Sequence, residues 1–199
     1  MTIAVLCPAI AAAQTASVDR AWSYRAAVAT YFLPDEADYV QPTFTAERGH
    51  LHLETRYNYE ALHSVSFFAG RKFSAGSAVE MELTPMFGGL VGDTDGVIPA
   101  AILWLKFRRL EFYSESEVVI DLNETSDSFF YSWSEAYVRA PAWLRTGVVI
   151  QRTRSIDEES DVQPGIFAGI EIGRIEGAFY FFKPGSADRF FVASIAVSF

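Results

Sequence analysis

The sequence has no apolar run of about 18 residues, and this absence excludes a membrane-spanning helix. It has one cysteine, Cys7, so a disulfide within the chain cannot stabilise the fold. Positive charge is also scarce, because 16 Lys and Arg face 25 Asp and Glu, for a net charge of −9. This charge argues against nucleic acid as a partner, since phosphate binding needs a basic surface. Half of the 199 residues are nevertheless hydrophobic, so much apolar surface must be covered by some other arrangement.

The N-terminus carries a short apolar stretch, residues 3–13, which ends in Ala11, Ala12 and Ala13. A short apolar region that ends in small residues is typical of a secretory signal peptide, although a basic segment before it is missing. The alternative is the N-terminus of a cytosolic protein. We predict a signal peptide at residues 1–13, which contains Cys7, and a single domain at residues 14–199.

Polar and apolar residues alternate along most of that domain. Between residues 50 and 60 the even positions are polar and the odd positions are almost all apolar: His50, His52, Glu54, Arg56, Asn58 and Glu60 alternate with Leu51, Leu53, Thr55, Tyr57 and Tyr59. Successive side chains of a β-strand point to opposite faces, so this pattern predicts a strand with one polar and one apolar face.

The same alternation recurs and predicts about twelve strands, each near ten residues long. The predicted spans are 24–33, 41–47, 50–59, 64–73, 77–88, 97–107, 109–121, 128–139, 142–153, 163–172, 174–183 and 188–199. The first span alternates least regularly. Strands of about ten residues cross a membrane when tilted, and closed bacterial barrels have even strand numbers. The fold class predicted is all-β, a single closed antiparallel transmembrane β-barrel of about twelve strands, with ten as the alternative.

The connections between the predicted strands alternate in length and in charge. Short turns include Arg48, Arg108 and Arg174 and contain no acid, whereas the longer links hold about half of the acidic residues. Because consecutive antiparallel strands reverse direction, all the long acidic loops are predicted at one end of the barrel and all the tight turns at the other.

Alternation alone does not say which face meets solvent, because a soluble barrel buries its apolar face and a membrane barrel turns that face to lipid. Four features favour lipid: the long strands, the nearly charge-free apolar faces, the charges of both signs on the polar faces, and the aromatic residues near strand ends. The predicted aromatic girdles are Tyr57 and Tyr59 at one end and Phe73, Phe107 and Phe199 at the other.

The last strand carries a recognisable signal. The chain ends on Phe199, behind which Val197, Ile195, Ala193 and Phe191 alternate. This resembles the C-terminal assembly signal of bacterial outer-membrane β-barrel proteins, a porin-like group; the alternative is the buried last strand of a soluble β protein. The resemblance implies insertion into the cell outer membrane by the barrel-assembly machinery, contact with outer-membrane lipid and lipopolysaccharide, periplasmic termini and external acidic loops. The implied assembly-signal residues are Phe191, Ile195, Val197 and Phe199.

The polar faces predict the residues that line the interior of the barrel. These are Glu54, Arg56, Glu80, Glu82, Glu111, Glu115, Glu117, Asp121, Glu135, Arg139, Arg145, Glu171 and Glu176. Charged rings in a water-filled bore would select ions by sign, so we predict a small passive channel for small solutes or ions, with a preference for cations. The alternative is a packed interior of Arg–Glu pairs and aromatic rings in a non-conducting structural or surface-binding barrel.

Two other groups of residues are candidates for a metal site or a catalytic site. His50 and His52 share a strand face with Glu54, but without a third metal ligand we expect these imidazoles to hydrogen-bond to carboxylates. His63 with Ser64 or Ser66 is the candidate site for an outer-membrane lipid-modifying hydrolase. Adjacent residues of a strand point to opposite faces, however, and no nucleophile motif accompanies them. The sequence therefore predicts no catalytic residue, no metal site and no cofactor.

Overall fold

The computed structural model describes residues 21–155 and 159–199, so the predicted signal peptide at 1–13, with Cys7, lies outside the described residues. The described chain is almost entirely β-structure. Its strands are β1 (Ser23–Phe32), β2 (Tyr39–Arg48), β3 (Leu51–Tyr57), β4 (Val65–Arg71), β5 (Phe73–Ala75), β6 (Glu80–Val91), β7 (Gly96–Phe107), β8 (Leu110–Asp121), β9 (Phe129–Arg139), β10 (Leu144–Ser155), β11 (Asp161–Ile172), β12 (Ile175–Phe182) and β13 (Phe190–Ser198). A single 3-10 turn lies at Thr125–Asp127. Within these residues, no helix is both long and apolar enough to cross a membrane.

The strands form one closed antiparallel sheet. Neighbours in sequence pair with each other, β1 pairs with β13, and β4 pairs with β6, so the ring has no free edge. The short β5 is an extra strand that also pairs with β6 and continues the register of β4 beyond Lys72. The predicted antiparallel barrel of twelve strands is therefore confirmed, with one strand more than predicted.

The seam of the barrel joins the two ends of the described chain. The backbones of Tyr24 and Phe199 exchange two hydrogen bonds of 2.9 Å each, and their rings stack at 5.7 Å. From there β1 pairs with β13 as far as Phe32 and Phe191. The first strand thus forms despite its irregular alternation, because two neighbouring strands satisfy its backbone groups.

The loops and turns separate to opposite ends of the barrel. We call the end that carries the connections 33–38, 58–64, 92–95, 122–128 and 183–189 the loop end, and the end with the turns 49–50, 76–79, 108–109, 140–143 and 173–174 the turn end. The predicted spans 64–73 and 77–88 place a turn at residues 74–76, and this position is wrong. Ser74 and Ala75 still pair with β6, so the reversal lies at residues 76–79 and the strand predicted at 77–88 begins at Glu80.

The outward face of the barrel is apolar and exposed. On β11, Ile166 is 53% exposed, whereas the adjacent Phe167 is 5% exposed. The same contrast recurs around the ring, and the large apolar side chains that remain exposed include Val28, Phe44, Phe67, Phe87, Val118, Val148, Ile150, Ile166, Ile170, Phe179 and Ile195. A soluble barrel would bury its apolar face, so this exposed belt is a surface that needs an apolar partner.

The interior contains two clusters of buried apolar side chains. One cluster comprises Phe68, Met86, Leu90, Ile98 and Val119, on β4 and β6 to β8. A second occupies β1 and β9 to β13 and comprises Tyr31, Tyr137, Val149, Phe167, Ala178, Tyr180, Phe182, Phe190 and Val192. Both clusters occupy inward positions, so the strands are apolar on both faces where they approach the loops.

Glycines let large side chains lie flat against the inner wall. A Cβ added at Gly147 would lie 2.1 Å from the carbonyl oxygen of Ala136 and 2.7 Å from the Cβ of Tyr137. A Cβ at Gly88 would lie 2.5 Å from the ring of Phe68. A side chain at position 88 would displace the Phe68 ring, and one at position 147 would collide with the backbone of β9, so glycine makes room for a ring in one place and for the neighbouring strand in the other.

Candidate functional site

A buried arginine bridges two walls of the bore. Arg56 on β3 contacts Glu115 at 2.6 Å and Glu117 at 2.9 Å, and both glutamates lie on β8. Three strands separate β3 from β8 in the sheet, so these ion pairs cross the bore. Arg56 also contacts Glu54 on its own strand and Glu60, at 3.3 Å, in the segment that follows. We call these five side chains the Arg56 cluster.

The Arg56 cluster contains more negative than positive charge. The side chains of Arg56, Glu60 and Glu117 have no solvent exposure. Among the described residues, Glu60 Oε2 and Glu117 Oε1 have no hydrogen-bond partner. Burial raises the pKa of Glu60, and the charge of Arg56 offsets this effect only in part. A buried carboxyl that lacks hydrogen-bond donors favours its protonated form. We therefore expect protonation of Glu60 to stabilise this cluster.

The segment from residue 58 to 64 turns into the bore because Asn58 ends β3 in the left-handed conformation, with φ 55°. Asparagine tolerates this conformation better than most residues. Its side-chain amide donates to the carbonyl oxygen of Val40, at 3.1 Å, and accepts from the backbone N–H of His63, at 2.7 Å. The turn brings Tyr59 and Glu60 inward, where the Ser66 hydroxyl donates to Glu60 Oε1 at 2.9 Å.

The inward turn corrects the prediction that Tyr59 belongs to an outward aromatic girdle. The ring of Tyr59 lies 4.4 Å from the Arg56 guanidinium carbon and packs edge-on against Tyr131 at 5.9 Å. The alternation of residues 50–60 assigned Tyr59 the same face as Tyr57, which is exposed. The left-handed Asn58 breaks that phase, so the next side chain points into the bore.

Two cavities enter the barrel from opposite ends. The loop-end cavity has a volume of about 530 Å³ and is lined by loop residues that include Asp35, Glu36 and Lys183. The turn-end cavity has a volume of about 420 Å³. Tyr31 and Tyr59 line both cavities, so these two rings form the partition between them.

The turn-end cavity opens to solvent between charged side chains. At its mouth Arg25 and Glu176, 42% and 32% exposed, form an ion pair at 3.3 Å. Small inward residues of β1, β2 and β13 leave the space for this cavity: Ala29, Thr45 and Ser194. The opposite wall carries Glu135 and the other large side chains.

Glu135 connects three strands on that wall. Its carboxylate accepts hydrogen bonds from Trp133 Nε1 at 2.9 Å, from the Tyr180 hydroxyl at 2.8 Å and from Arg145 Nη1 at 3.2 Å. These donors come from β9, β12 and β10, and the bond from Tyr180 passes over β11. The network holds the aromatic wall in place and leaves few free acceptors toward the cavity.

The thirteen charged residues predicted to line the interior all occupy inward register positions, facing away from the exposed apolar belt. Twelve of them form ion pairs: Glu54, Arg56, Glu80, Glu82, Glu111, Glu115, Glu117, Glu135, Arg139, Arg145, Glu171 and Glu176. The remaining one, Asp121, accepts backbone hydrogen bonds from Asn123 and Glu124 at 2.7 and 2.8 Å. Each of the ten interior acids thus has at least one cation or backbone donor beside it, although four carboxylates share Arg56.

The predicted assembly-signal residues Phe191, Ile195, Val197 and Phe199 lie at outward positions of β13 and just after it. The last three are exposed large apolar side chains. Their location at the barrel seam places them on the same belt as the other outward residues.

The two histidines near the turn end contact different partners. His52 places Nδ1 2.9 Å from Glu47 and Nε2 3.0 Å from Glu54, so both ring nitrogens face carboxylates. His50 Nδ1 lies 3.1 Å from the carbonyl oxygen of Lys72. His52 therefore contacts carboxylates as predicted, whereas His50 contacts a backbone carbonyl oxygen instead.

The candidate hydrolase residues are dispersed. His63 Nδ1 lies 3.2 Å from Asp93 in an exposed pair, whereas Ser64 is buried and accepts a hydrogen bond from the Thr94 backbone N–H at 3.2 Å. Ser66 is buried too. In the described part of the chain no hydrogen bond joins His63 to either serine, so the hydrolase remains a hypothesis without an assembled site.

Sequence reasoning missed the partition of the bore, Tyr31 and Tyr59, and the inward role of Glu60. One signal for the closed loop end was present. At Val118–Ile120, Val148–Ile150 and Phe190–Val192 the alternation gives way to apolar residues on both faces. Strands that are apolar on both faces are buried on both sides.

The functional assignment rests on the geometry of the barrel, because comparison with known proteins gives no match to build on. The chain matches no protein-family model, and no curated protein matches its sequence.

Proposed function

We propose that this protein is a β-barrel of the bacterial outer membrane whose bore is closed in its resting state. Lipid is the apolar partner that the outward belt requires, because lipid covers such a face without any protein surface. Closure of the sheet supports this assignment, since each of the twelve strands other than the short β5 pairs with two neighbours, as backbone groups in hydrocarbon require. The C-terminal assembly signal and the periplasmic location of the termini are part of the same proposal.

The observation that carries the closed bore is the Arg56 cluster. A fully buried guanidinium bound to carboxylates on two walls fills the side of the bore between β3 and β8, and the rings of Tyr31 and Tyr59 separate the remaining space into two cavities. Two clusters of buried apolar side chains pack the bore beside the Arg56 cluster. The geometry therefore favours the non-conducting barrel over the permanently open channel, with the turn-end cavity as its accessible interior.

The passive channel is the second candidate, and one observation favours it. The two cavities extend into the barrel from its opposite ends, and the rings of Tyr31 and Tyr59 separate them. A rearrangement of these side chains would join the cavities without unfolding a strand.

Single-channel recording in planar bilayers tests the proposal. Wild-type barrel that shows heat-modifiable migration on a gel is expected to give no conductance steps at neutral pH. Replacing both partition rings, Tyr31→Ala with Tyr59→Ala, should produce steps, because it removes the barrier between the cavities.

The matched control is Tyr57→Ala, which removes the same ring from the outward face of the same region. It should leave the bilayer silent. Frequent steps from the wild-type barrel would contradict the closed bore and favour the channel, and silence from the folded double variant would show that the barrier lies elsewhere.

A further inference from the structure

The turn-end rim is basic on its outer side. The five turns contain no acidic residue. In the described part of the chain Arg71, Arg108, Arg109 and Arg174 form no ion pair, although all four are exposed. The acids at this end occupy inward positions and bind inward cations, as Glu47 binds Lys72. These four arginines therefore place positive charge without an ion-pair partner on the outer rim of the turn end.

Some of these arginines lie over aromatic rings of the outward belt. The guanidinium carbon of Arg108 is 5.2 Å from the ring centre of Phe107, and that of Arg71 is 5.5 Å from the ring centre of Phe73. Both rings are exposed. An aromatic ring at the edge of an apolar belt lies at the boundary between hydrocarbon and water, so its arginine is held at the level of lipid headgroups.

A groove beside these arginines is large enough for a headgroup. It lies between the turns at 108–109 and 140–143, where the rim meets the mouth of the bore, and has a volume of about 950 Å³. Arg108 and Arg109 line it together with the inward-facing Lys106 and Arg139. Two acids, Glu111 and Glu171, also line it, and both bind Arg139. Arg108 and Arg109 therefore retain their hydrogen-bond donors for a ligand.

We propose that this rim binds the headgroups of anionic phospholipids, with Arg71, Arg108 and Arg109 contacting phosphate. The guanidinium fork matches phosphate oxygens in pairs, and the stacked rings fix its height on the barrel. The acidic loop end would repel the same headgroups, so the lipid preference also distinguishes the two ends. This inference rests on the proposed membrane location.

Native mass spectrometry of the barrel in neutral detergent micelles provides the test. Phosphatidylglycerol is titrated in, with phosphatidylcholine of the same chain length as the neutral comparator. Wild-type barrel should retain phosphatidylglycerol preferentially. Arg71→Gln with Arg108→Gln and Arg109→Gln should weaken that retention by about fivefold for each arginine removed.

The matched control is Arg152→Gln. Arg152 is also stacked on an outward ring, with its guanidinium carbon 6.0 Å from the ring centre of Phe130, but it lies at the loop end. It should leave lipid retention unchanged. Equal retention by wild type and triple variant, an equal loss in the control, or displacement of the lipid by millimolar inorganic phosphate would overturn the inference. Failure of the membrane location itself would show separately, as a native barrel that stays soluble without detergent.

Discussion

Arg56 Nη1 lies 2.9 Å from Glu117 Oε2, although three strands separate these two residues in the sheet. The contact joins two walls of the barrel through its interior, where neither side chain meets solvent. A charge pair in such a place stabilises only when both partners are present, because each one alone is buried without compensation.

Removing the arginine should therefore destabilise the barrel strongly. Arg56→Met keeps much of the side-chain volume but leaves buried carboxylates without their cation, so we expect a loss of about 3–5 kcal/mol in the free energy of unfolding. Urea unfolding in lipid vesicles, followed by tryptophan fluorescence, measures this change. Arg25→Met is the control, since the Arg25–Glu176 pair is exposed at the cavity mouth and its loss should cost about 0–1 kcal/mol. Equal losses in the two variants would contradict the role of burial.

The free energy of unfolding should fall as pH rises, because the buried Glu60 then loses its proton. Burial raises the pKa of this carboxyl in the folded barrel, so the folded state binds its proton more tightly than the unfolded chain. The resulting stabilisation is complete below the ordinary glutamate pKa of about 4.3 and is lost as pH rises through the raised value. Urea midpoints measured from pH 4 to pH 8 should therefore decline more steeply in wild type than in Glu60→Gln.

The neighbouring serine supplies an independent check on this pH dependence. The Ser66 hydroxyl donates to Glu60 and lowers the pKa of that carboxyl, opposing the effect of burial. Ser66→Ala should move the decline to higher pH. A wild-type slope that survives in Glu60→Gln would assign the dependence to another group.

The barrel architecture was predictable from the sequence, whereas the partition that blocks its bore was not. Alternation such as that of Leu51 to Tyr57 depends on local strand geometry, and it predicted the antiparallel barrel of twelve strands. The partition depends on where strands end and which rings meet across the bore. Tyr31 and Tyr59 are distant in sequence, and a backbone reversal at Asn58 decides the direction of Tyr59. Such long-range packing leaves no periodic signature.

Two substitutions of Asn58 should separate the effect of its side-chain hydrogen bonds from the effect of its left-handed backbone conformation. Asn58→Ala loses both side-chain hydrogen bonds and places a Cβ residue at φ 55°, which costs about 1–3 kcal/mol. Asn58→Gly loses the hydrogen bonds but relieves the backbone strain, so it should be the milder change. Urea midpoints in vesicles compare the two variants. An alanine variant as stable as the glycine variant would show that backbone conformation does not determine the turn.

The central claim, that the outward belt faces lipid around a packed interior, is tested most directly by site-specific fluorescence quenching. Cys7 lies in the predicted signal peptide, so a mature barrel with one introduced cysteine can be labelled uniquely with a small fluorophore. Labels at Ile166 and Ile195, on the outward face, should be quenched by brominated lipid and protected from aqueous iodide. A label at Val119, which is buried in the apolar interior, should be protected from both quenchers. Iodide quenching at Ile166 and Ile195 without quenching by brominated lipid would contradict the account.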